Sequence, residues 1–299
     1  MSTRAGIRHL DGVERGMTEV YSTAPAGHRI LGVMEAAMEI ALVQYDIAWE
    51  DKPANHDRIE AMLEEAEVPP GAFVLLPELG DTGFSMDIEA VTARDSIEWA
   101  LELSARRGWT LQIGHAERHA DGLGRNCATI VRPDGVVSAS YRKIFPMTIL
   151  GEHRCYGSGE ELVLADIGPA VVAPLICYDL RFPELWRIAA LEGATVFAIG
   201  ASWPAERVAH WRHLLVSRAM ECQAWVLGCN RVGQDPNLSY SGSSMVVAPD
   251  GTVVAEAGSE AMVLRASLDF ESSRQFRERF PVLKDARREL LGALKIIRS

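Results

Sequence analysis

The sequence predicts an α/β fold: mixed β-sheet with helices on its faces. Three observations predict it. Strand-period and helix-period segments alternate from Met38 to Leu268. Two hairpin signals, Arg132-Pro133-Asp134-Gly135 and Pro249-Asp250-Gly251, set antiparallel pairs among the crossovers. No long Pro/Gly/Ser linker divides the body, which therefore reads as one domain.

Each element has a local reason. Residues 39–45 (EIALVQY) are an apolar strand, and His56–Glu67 is a helix stopped by Val68-Pro69-Pro70-Gly71. Phe73–Leu76 is a short apolar run, a buried strand. Ile88–Arg107 reads as one helix ended by Gly108, followed by a strand at Thr110–Gly114. Cys127–Val131 and Val136–Tyr141 flank the first hairpin turn. Val171–Cys177 is an apolar strand running into a helix at Phe182–Leu191, with Gly193 after it. Thr195–Ile199 is a strand, and Glu206–Gln223 a helix with Val208, Trp211, Leu215 and Ala219 on one stripe. Trp225–Cys229, Met245–Ala248, Thr252–Ala255 and Met262–Leu268 complete the strands. The hairpins VRPDGVVSAS and VAPDGTVVAE echo each other weakly.

Composition excludes several classes. The 299 residues are 48% hydrophobic and 24% charged, as expected of a folded globular chain and not of a disordered one. No stretch reaches the roughly 18 uninterrupted apolar residues of a membrane span. The net charge of −11 argues against nucleic acid or an anionic membrane as partner. That charge is uneven. Residues 1–37 are balanced and without sustained periodicity, an N-terminal extension before the first strand. Residues 284–299 form a basic tail with five basic and two acidic side chains, leaving 38–283 at −14. Five cysteines, none in a C-x-x-C pair, point to free thiols in a reducing compartment, the cytoplasm.

One cysteine stands out. Cys177 sits where the strand Val171–Cys177 meets Tyr178-Asp179-Leu180-Arg181-Phe182-Pro183-Glu184. A helix N-terminus there would lower a thiol pKa and receive an oxyanion. A buried structural cysteine is the alternative. No histidine is an obvious base: His210 and His213 read as surface or packing residues, and His115 with His119 lacks the order of a zinc motif. Carboxylates are better placed, since Leu75-Leu76-Pro77-Glu78 puts an acid at the exit of a buried strand. A lysine follows the first hairpin in Tyr141-Arg142-Lys143-Ile144-Phe145-Pro146.

Taken together, L-P-E, then Y-R-K with Lys143 65 residues beyond Glu78, then I-C-Y-D-L-R-F-P-E with Cys177 34 residues beyond Lys143, resemble the nitrilase superfamily of carbon–nitrogen hydrolases. The resemblance spans about 38–283. It implies a four-layer α-β-β-α sandwich, assembled as a homodimer or larger homo-oligomer. It implies Glu78 as general base, Lys143 as cation, Cys177 as nucleophile and Glu152 as a second active-site glutamate. Lys143 and the backbone N–H of Tyr178 would then stabilise the oxyanion, with no metal or organic cofactor.

Ala201-Ser202-Trp203-Pro204-Ala205, Arg218-Ala219-Met220-Glu221-Cys222-Gln223, Gly228-Cys229-Asn230-Arg231-Val232-Gly233 and Phe280-Pro281 resemble the omega-amidase branch, which deaminates small carboxylate-bearing amides such as 2-oxoglutaramate. Cys222 replaces an expected Asn, Ser243 an expected Asp, and Ile144-Phe145-Pro146-Met147 a basic-aromatic segment. Arg181 is a candidate for the substrate carboxylate, or else a structural arginine paired to neighbouring acids. Trp203 is a candidate pocket wall, or else core. An N-carbamoyl amide hydrolase or deaminated-peptide amidase with the same triad is the alternative enzyme. A non-catalytic partner-binding homologue is the alternative class.

Overall fold

The computed structural model describes residues 37–93 and 95–292. The N-terminal extension expected over 1–37 lies, Ala37 apart, outside the described residues, as do residues 293–299 of the expected basic tail.

The first half of the chain lays down β1 (Met38–Gln44), α1 (Lys52–Glu65), β2 (Phe73–Leu75), α2 (Ile88–Val91), α3 (Ser96–Arg107), β3 (Thr110–Arg118), β4 (Gly124–Val131) and β5 (Val137–Arg142). The second half supplies β6 (Ala165–Ile167), β7 (Ala170–Ile176), α4 (Pro183–Leu191), β8 (Val196–Ala201), α5 (Val208–Cys222) and β9 (Trp225–Asn230). It ends with β10 (Val232–Gln234), β11 (Ser239–Ser241), β12 (Met245–Val247), β13 (Val253–Glu256), β14 (Met262–Leu268) and α6 (Phe270–Arg279).

Two six-stranded sheets result, in the orders β14-β1-β2-β3-β4-β5 and β6-β7-β8-β9-β12-β13. Across each, the neighbour relations run antiparallel, parallel, parallel, antiparallel, antiparallel. The echo between the two hairpins is therefore topological: β4–β5 and β12–β13 occupy the same place in their sheets.

The strand period sets the layers. On β1, Ile40 and Leu42 face Val196, Ala198 and Leu227 of the second sheet. The alternate residues Ala41 and Val43 face Ile59 and Leu63 of α1 and Ala100 and Leu103 of α3. On the other side, Leu185 and Trp186 of α4 and Trp211, Leu215 and Ala219 of α5 cover the second sheet. Three apolar cores between four layers make the α-β-β-α sandwich. Each fully buried leucine or isoleucine in them is worth about 1.5–3 kcal/mol over leaving it in water. Among the described residues no helix is long and apolar enough to cross a membrane.

Several boundaries differ from the sequence reading. α1 starts four residues early, because Asp51 caps the Ala54 N–H and Pro53 fits the first helical turn. The single helix expected over Ile88–Arg107 is two, since Asp87 and Asp95 each cap a separate helix. The strands β6, β10 and β11 and the helix α6 were not predicted; α6 buries no residue fully.

Candidate active site

The two sheets bring the exits of β2, β5 and β7 together. Glu78 follows β2 in a turn that has no room for extra atoms. An added Cβ at Gly114 would lie 2.3 Å from the Pro77 carbonyl and 3.0 Å from Glu78 Cα. One at Gly200 on β8 would lie 2.6 Å from the Leu76 carbonyl and 3.1 Å from Glu78 N. The Glu78 backbone is thus clamped between glycines of both sheets. Leu79, next to it, takes a left-handed φ of 45°, and Cys177 one of 41°. Such values are costly for residues with a Cβ, and they persist where the surroundings impose them.

Glu78, Lys143 and Glu152 are all 1% exposed or less. The Lys143 ammonium lies 2.7 Å from Glu78 Oε1 and 2.9 Å from both oxygens of Glu152. Glu78 Oε2 accepts the Ser202 N–H at 3.0 Å, and Glu152 Oε2 the Met147 N–H at 2.6 Å. Asn126 on β4 links the two acids: its Nδ2 donates to Glu78 Oε1 at 2.9 Å and to Glu152 Oε1 at 3.0 Å. Burial opposes the Lys143 charge, but Glu152 and Glu78 outweigh it and hold the ammonium well above the usual lysine range.

Cys177 is buried, with the charges of Glu78 and Lys143 acting on its thiol. Burial pushes its thiol well above the ordinary cysteine value, and the Glu78 charge adds to the rise. The expected helix N-terminus is therefore corrected. Cys177 opens a short 3-10 turn, Cys177–Arg181, and the α-helix begins only at Pro183. Burial and the Glu78 charge therefore disfavour a dipole-stabilised thiolate at Cys177.

The turn is held from below by Asp179. Its carboxylate accepts the Ile176 N–H at 3.0 Å, the Tyr141 hydroxyl at 2.8 Å and the Phe145 N–H at 3.2 Å. Burial pushes Asp179 up to about 7 against the pull of Lys143 and these donors.

Tyr178 follows the thiol and packs edge-on against Phe182. The Arg181 guanidinium lies 4.7 Å above the Trp203 ring, with one nitrogen 3.3 Å from His210 Nδ1. Among the described residues no carboxylate forms an ion pair with Arg181, so the pairing weighed against a substrate role is not made. Trp203 is part of the core: it is 2% exposed, and Asn230 fixes its backbone with hydrogen bonds at 2.8 and 3.1 Å.

His119 pairs with Asp121 and Arg125 instead of joining His115. His115, Glu117 and Cys127 do bring potential ligand atoms within 4.8 Å of one another, but His115 hydrogen-bonds Thr129, and Arg142 pairs with Glu117.

Sequence reasoning missed Asn126 and Asp179. A polar side chain in the run Arg125–Val131, on the strand face that carries Ala128 and Ile130 inward, was a usable signal for Asn126. Asp179 was visible inside the cysteine motif, but its bonds to residues 38 and 34 positions earlier were not.

The assembled chemistry is a buried thiol, a carboxylate held by three donors, and an ammonium between two acids. The profile of the Carbon-nitrogen hydrolase family matches residues 39–278. The chain is 31% identical over 255 residues to the 2-oxoglutaramate amidase of Bacillus subtilis (strain 168), covering 84% of this chain and 98% of that one. It is 34% identical over 252 residues to Omega-amidase YafV of Escherichia coli (strain K12), covering 83% and 96%. Among solved structures it is similar to Saccharomyces cerevisiae Nit3, a member of branch 10 of the nitrilase superfamily. That match has a TM-score of 0.77 and 27% identity, and covers 84% and 97% of the two chains.

Proposed function

The chain belongs to the carbon–nitrogen hydrolase family and hydrolyses amides, and from that premise we propose how it does so and on what. Cys177 is the nucleophile, Glu78 the base and Lys143 the electrostatic partner. The observation that supports this reading is the buried contact of Lys143 with Glu78 at 2.7 Å and with Glu152 at 2.9 Å, with both the Glu78 and Lys143 charges acting on the buried Cys177 thiol.

Burial disfavours a free thiolate at Cys177, so proton transfer accompanies attack. Glu78 takes the Cys177 proton as sulfur bonds to the amide carbon. The carbonyl oxygen becomes an oxyanion, stabilised by the Lys143 ammonium and the Tyr178 N–H; one such donor is typically worth about 3–4 kcal/mol. Glu78 then gives its proton to nitrogen, the C–N bond breaks, and ammonia leaves a thioester. Glu78 next removes a proton from water, whose oxygen bonds to the acyl carbon. The C–S bond breaks, and Cys177 recovers its proton as the acid departs. Glu152 and Asn126 keep Lys143 and Glu78 in register throughout. The chain supplies every proton acceptor and donor these steps use.

The substrate is a small amide that carries a carboxylate, of the omega-amidase type, such as 2-oxoglutaramate. The relatives' names support this, as does Arg181, a cation above Trp203 with no acid partner among the described residues. The enzyme works as a homodimer or larger assembly, a reading supported by exposed Ile188 and Met220 on the outer helices. Five free cysteines support residence in the reducing cytoplasm.

An ammonia-release panel tests the substrate: 2-oxoglutaramate, 2-oxosuccinamate, glutamine, asparagine, an N-carbamoyl amino acid and a deaminated peptide. Ammonia without carbon dioxide from the oxo-acid amides is expected. Preference for the N-carbamoyl compound, with carbon dioxide released, would replace this substrate class.

A further inference from the structure

A cavity of about 470 Å³ lies on the far side of Phe84 from Lys143, and the steps above do not use it. Its walls include Trp49, Phe84, Met86, Leu150 and Leu238, with Ile149 at its rim. Phe84 links this wall to the chemistry: its ring centroid is 5.3 Å from Lys143 Nζ. Leu150 lies two residues before Glu152. Ile149 is 84% exposed, an unusual position for an isoleucine beside a polar site.

The polar walls, Asp235 and Asn237, offer little free charge. Asp235 Oδ1 already accepts the N–H groups of Asn237 and Leu238, each at 2.7 Å, and Oδ2 the Tyr240 hydroxyl at 2.6 Å.

The walls come from separate segments, and one residue ties two of them. Arg231 is fully buried. Its Nη2 donates to Asp46 Oδ1 at 3.2 Å, to the Ile47 carbonyl at 3.3 Å and to the Gln234 carbonyl at 3.4 Å. Its guanidinium lies 4.4 Å over the Tyr240 ring. At Gly83, one residue before Phe84, an added Cβ would sit 3.7 Å from Arg231 Nη1 and 3.1 Å from the Trp49 ring. Arg231 thus joins the loop carrying Trp49 to the β10–β11 hairpin carrying Leu238, and the turn carrying Phe84 is joined to that loop by the Glu50 N–H donating to the Thr82 carbonyl at 2.8 Å and the Ser85 hydroxyl donating to Glu50 Oε1 at 2.5 Å.

We propose that this cavity is a substrate subsite for an uncharged aliphatic or aromatic substituent of the amide. The proposal rests on the amidase reading and extends it, since 2-oxoglutaramate has no such group. Either the acyl chain or a substituent on nitrogen could supply it, and the test separates the two.

The purified full-length chain is assayed on two series, with 2-oxoglutaramate as reference. One series is straight-chain primary amides from acetamide to hexanamide, and the other is N-methyl to N-butyl 2-oxoglutaramate. Release of ammonia or alkylamine is measured for the parent and for Leu238→Trp, which fills the space. Each methylene that leaves water should raise kcat/KM about fourfold, in one series for the parent, and the long-to-short ratio should collapse in Leu238→Trp. A flat parent profile in both series overturns the subsite, whatever the variant does. A parent slope that Leu238→Trp leaves unchanged places the substituent elsewhere and overturns it too. Loss of oligomer in Leu238→Trp with a flat parent profile would make the cavity a subunit contact. If 2-oxoglutaramate turns over while both series are flat, the amidase reading survives and the subsite alone fails. If no amide turns over, both fail.

Discussion

Asn126 offers a sharp perturbation because its role is geometric. Its Nδ2 spans Glu78 Oε1 at 2.9 Å and Glu152 Oε1 at 3.0 Å. Asn126→Leu keeps the branched shape and removes both donors. A hydrogen bond to a charged group is worth about 1.5–3 kcal/mol, so two set a range of about 3–6. Both oxygens keep the Lys143 ammonium, which places the stability loss near the lower figure, about 3 kcal/mol. The carboxylates lose a lateral tie, and a correctly held base is worth about 100-fold or more. We expect kcat to fall roughly 10- to 100-fold by that measure, with KM for 2-oxoglutaramate nearly unchanged. Ammonia release against substrate concentration gives kcat and KM, a denaturant midpoint gives the stability loss, and circular dichroism confirms folding. A folded variant with the parent's kcat would refute the reasoning.

Three further perturbations follow from the same geometry. Gly114→Ala drives a Cβ to 2.3 Å from the Pro77 carbonyl; a denaturant midpoint should reveal about 1–3 kcal/mol of overpacking, and kcat should fall with it because Glu78 moves. Arg181→Met should raise KM for 2-oxoglutaramate more than tenfold while leaving kcat/KM for an uncharged amide within about threefold, as expected when one charged contact of roughly 1.5–3 kcal/mol is removed. Equal losses on both substrates would assign Arg181 a structural role. Asp179 titrates near 7 in the fold against an ordinary 3.8. The folded state holds a proton that the unfolded chain releases, so this group's contribution to stability falls as pH rises from about 4 to about 7. The fall is at most about 4 kcal/mol. Comparing urea midpoints of the parent and Asp179→Asn across that range should show the difference shrinking as pH rises, and a constant difference would contradict it.

Much of this was legible because local chemistry carried it. The core strands and their hairpins were readable from short apolar runs and Pro-Asp-Gly turns. Glu78, Lys143 and Cys177 each had an ordinary alternative when taken alone, and they stood out through the resemblance that their three motifs carry in company. What was not legible depends on contacts far apart in sequence. The break between α2 and α3 turns on Asp95, an N-cap hidden inside an otherwise continuous helical pattern. Asn126 makes sense only once β2 and Glu152 flank it. The state of the Cys177 thiol was misread from a helix start that lies six residues later, and burial beside Glu78 sets it instead. The glycine clamp around Glu78 joins residues from both sheets, which no local pattern records.

The central claim is that Cys177 forms the thioester. The most direct measurement is ammonia release from 2-oxoglutaramate by Cys177→Ala beside the parent, at matched concentration and with folding verified. The account predicts a folded protein with no release above background, while the parent turns over. Sustained release by Cys177→Ala would contradict it.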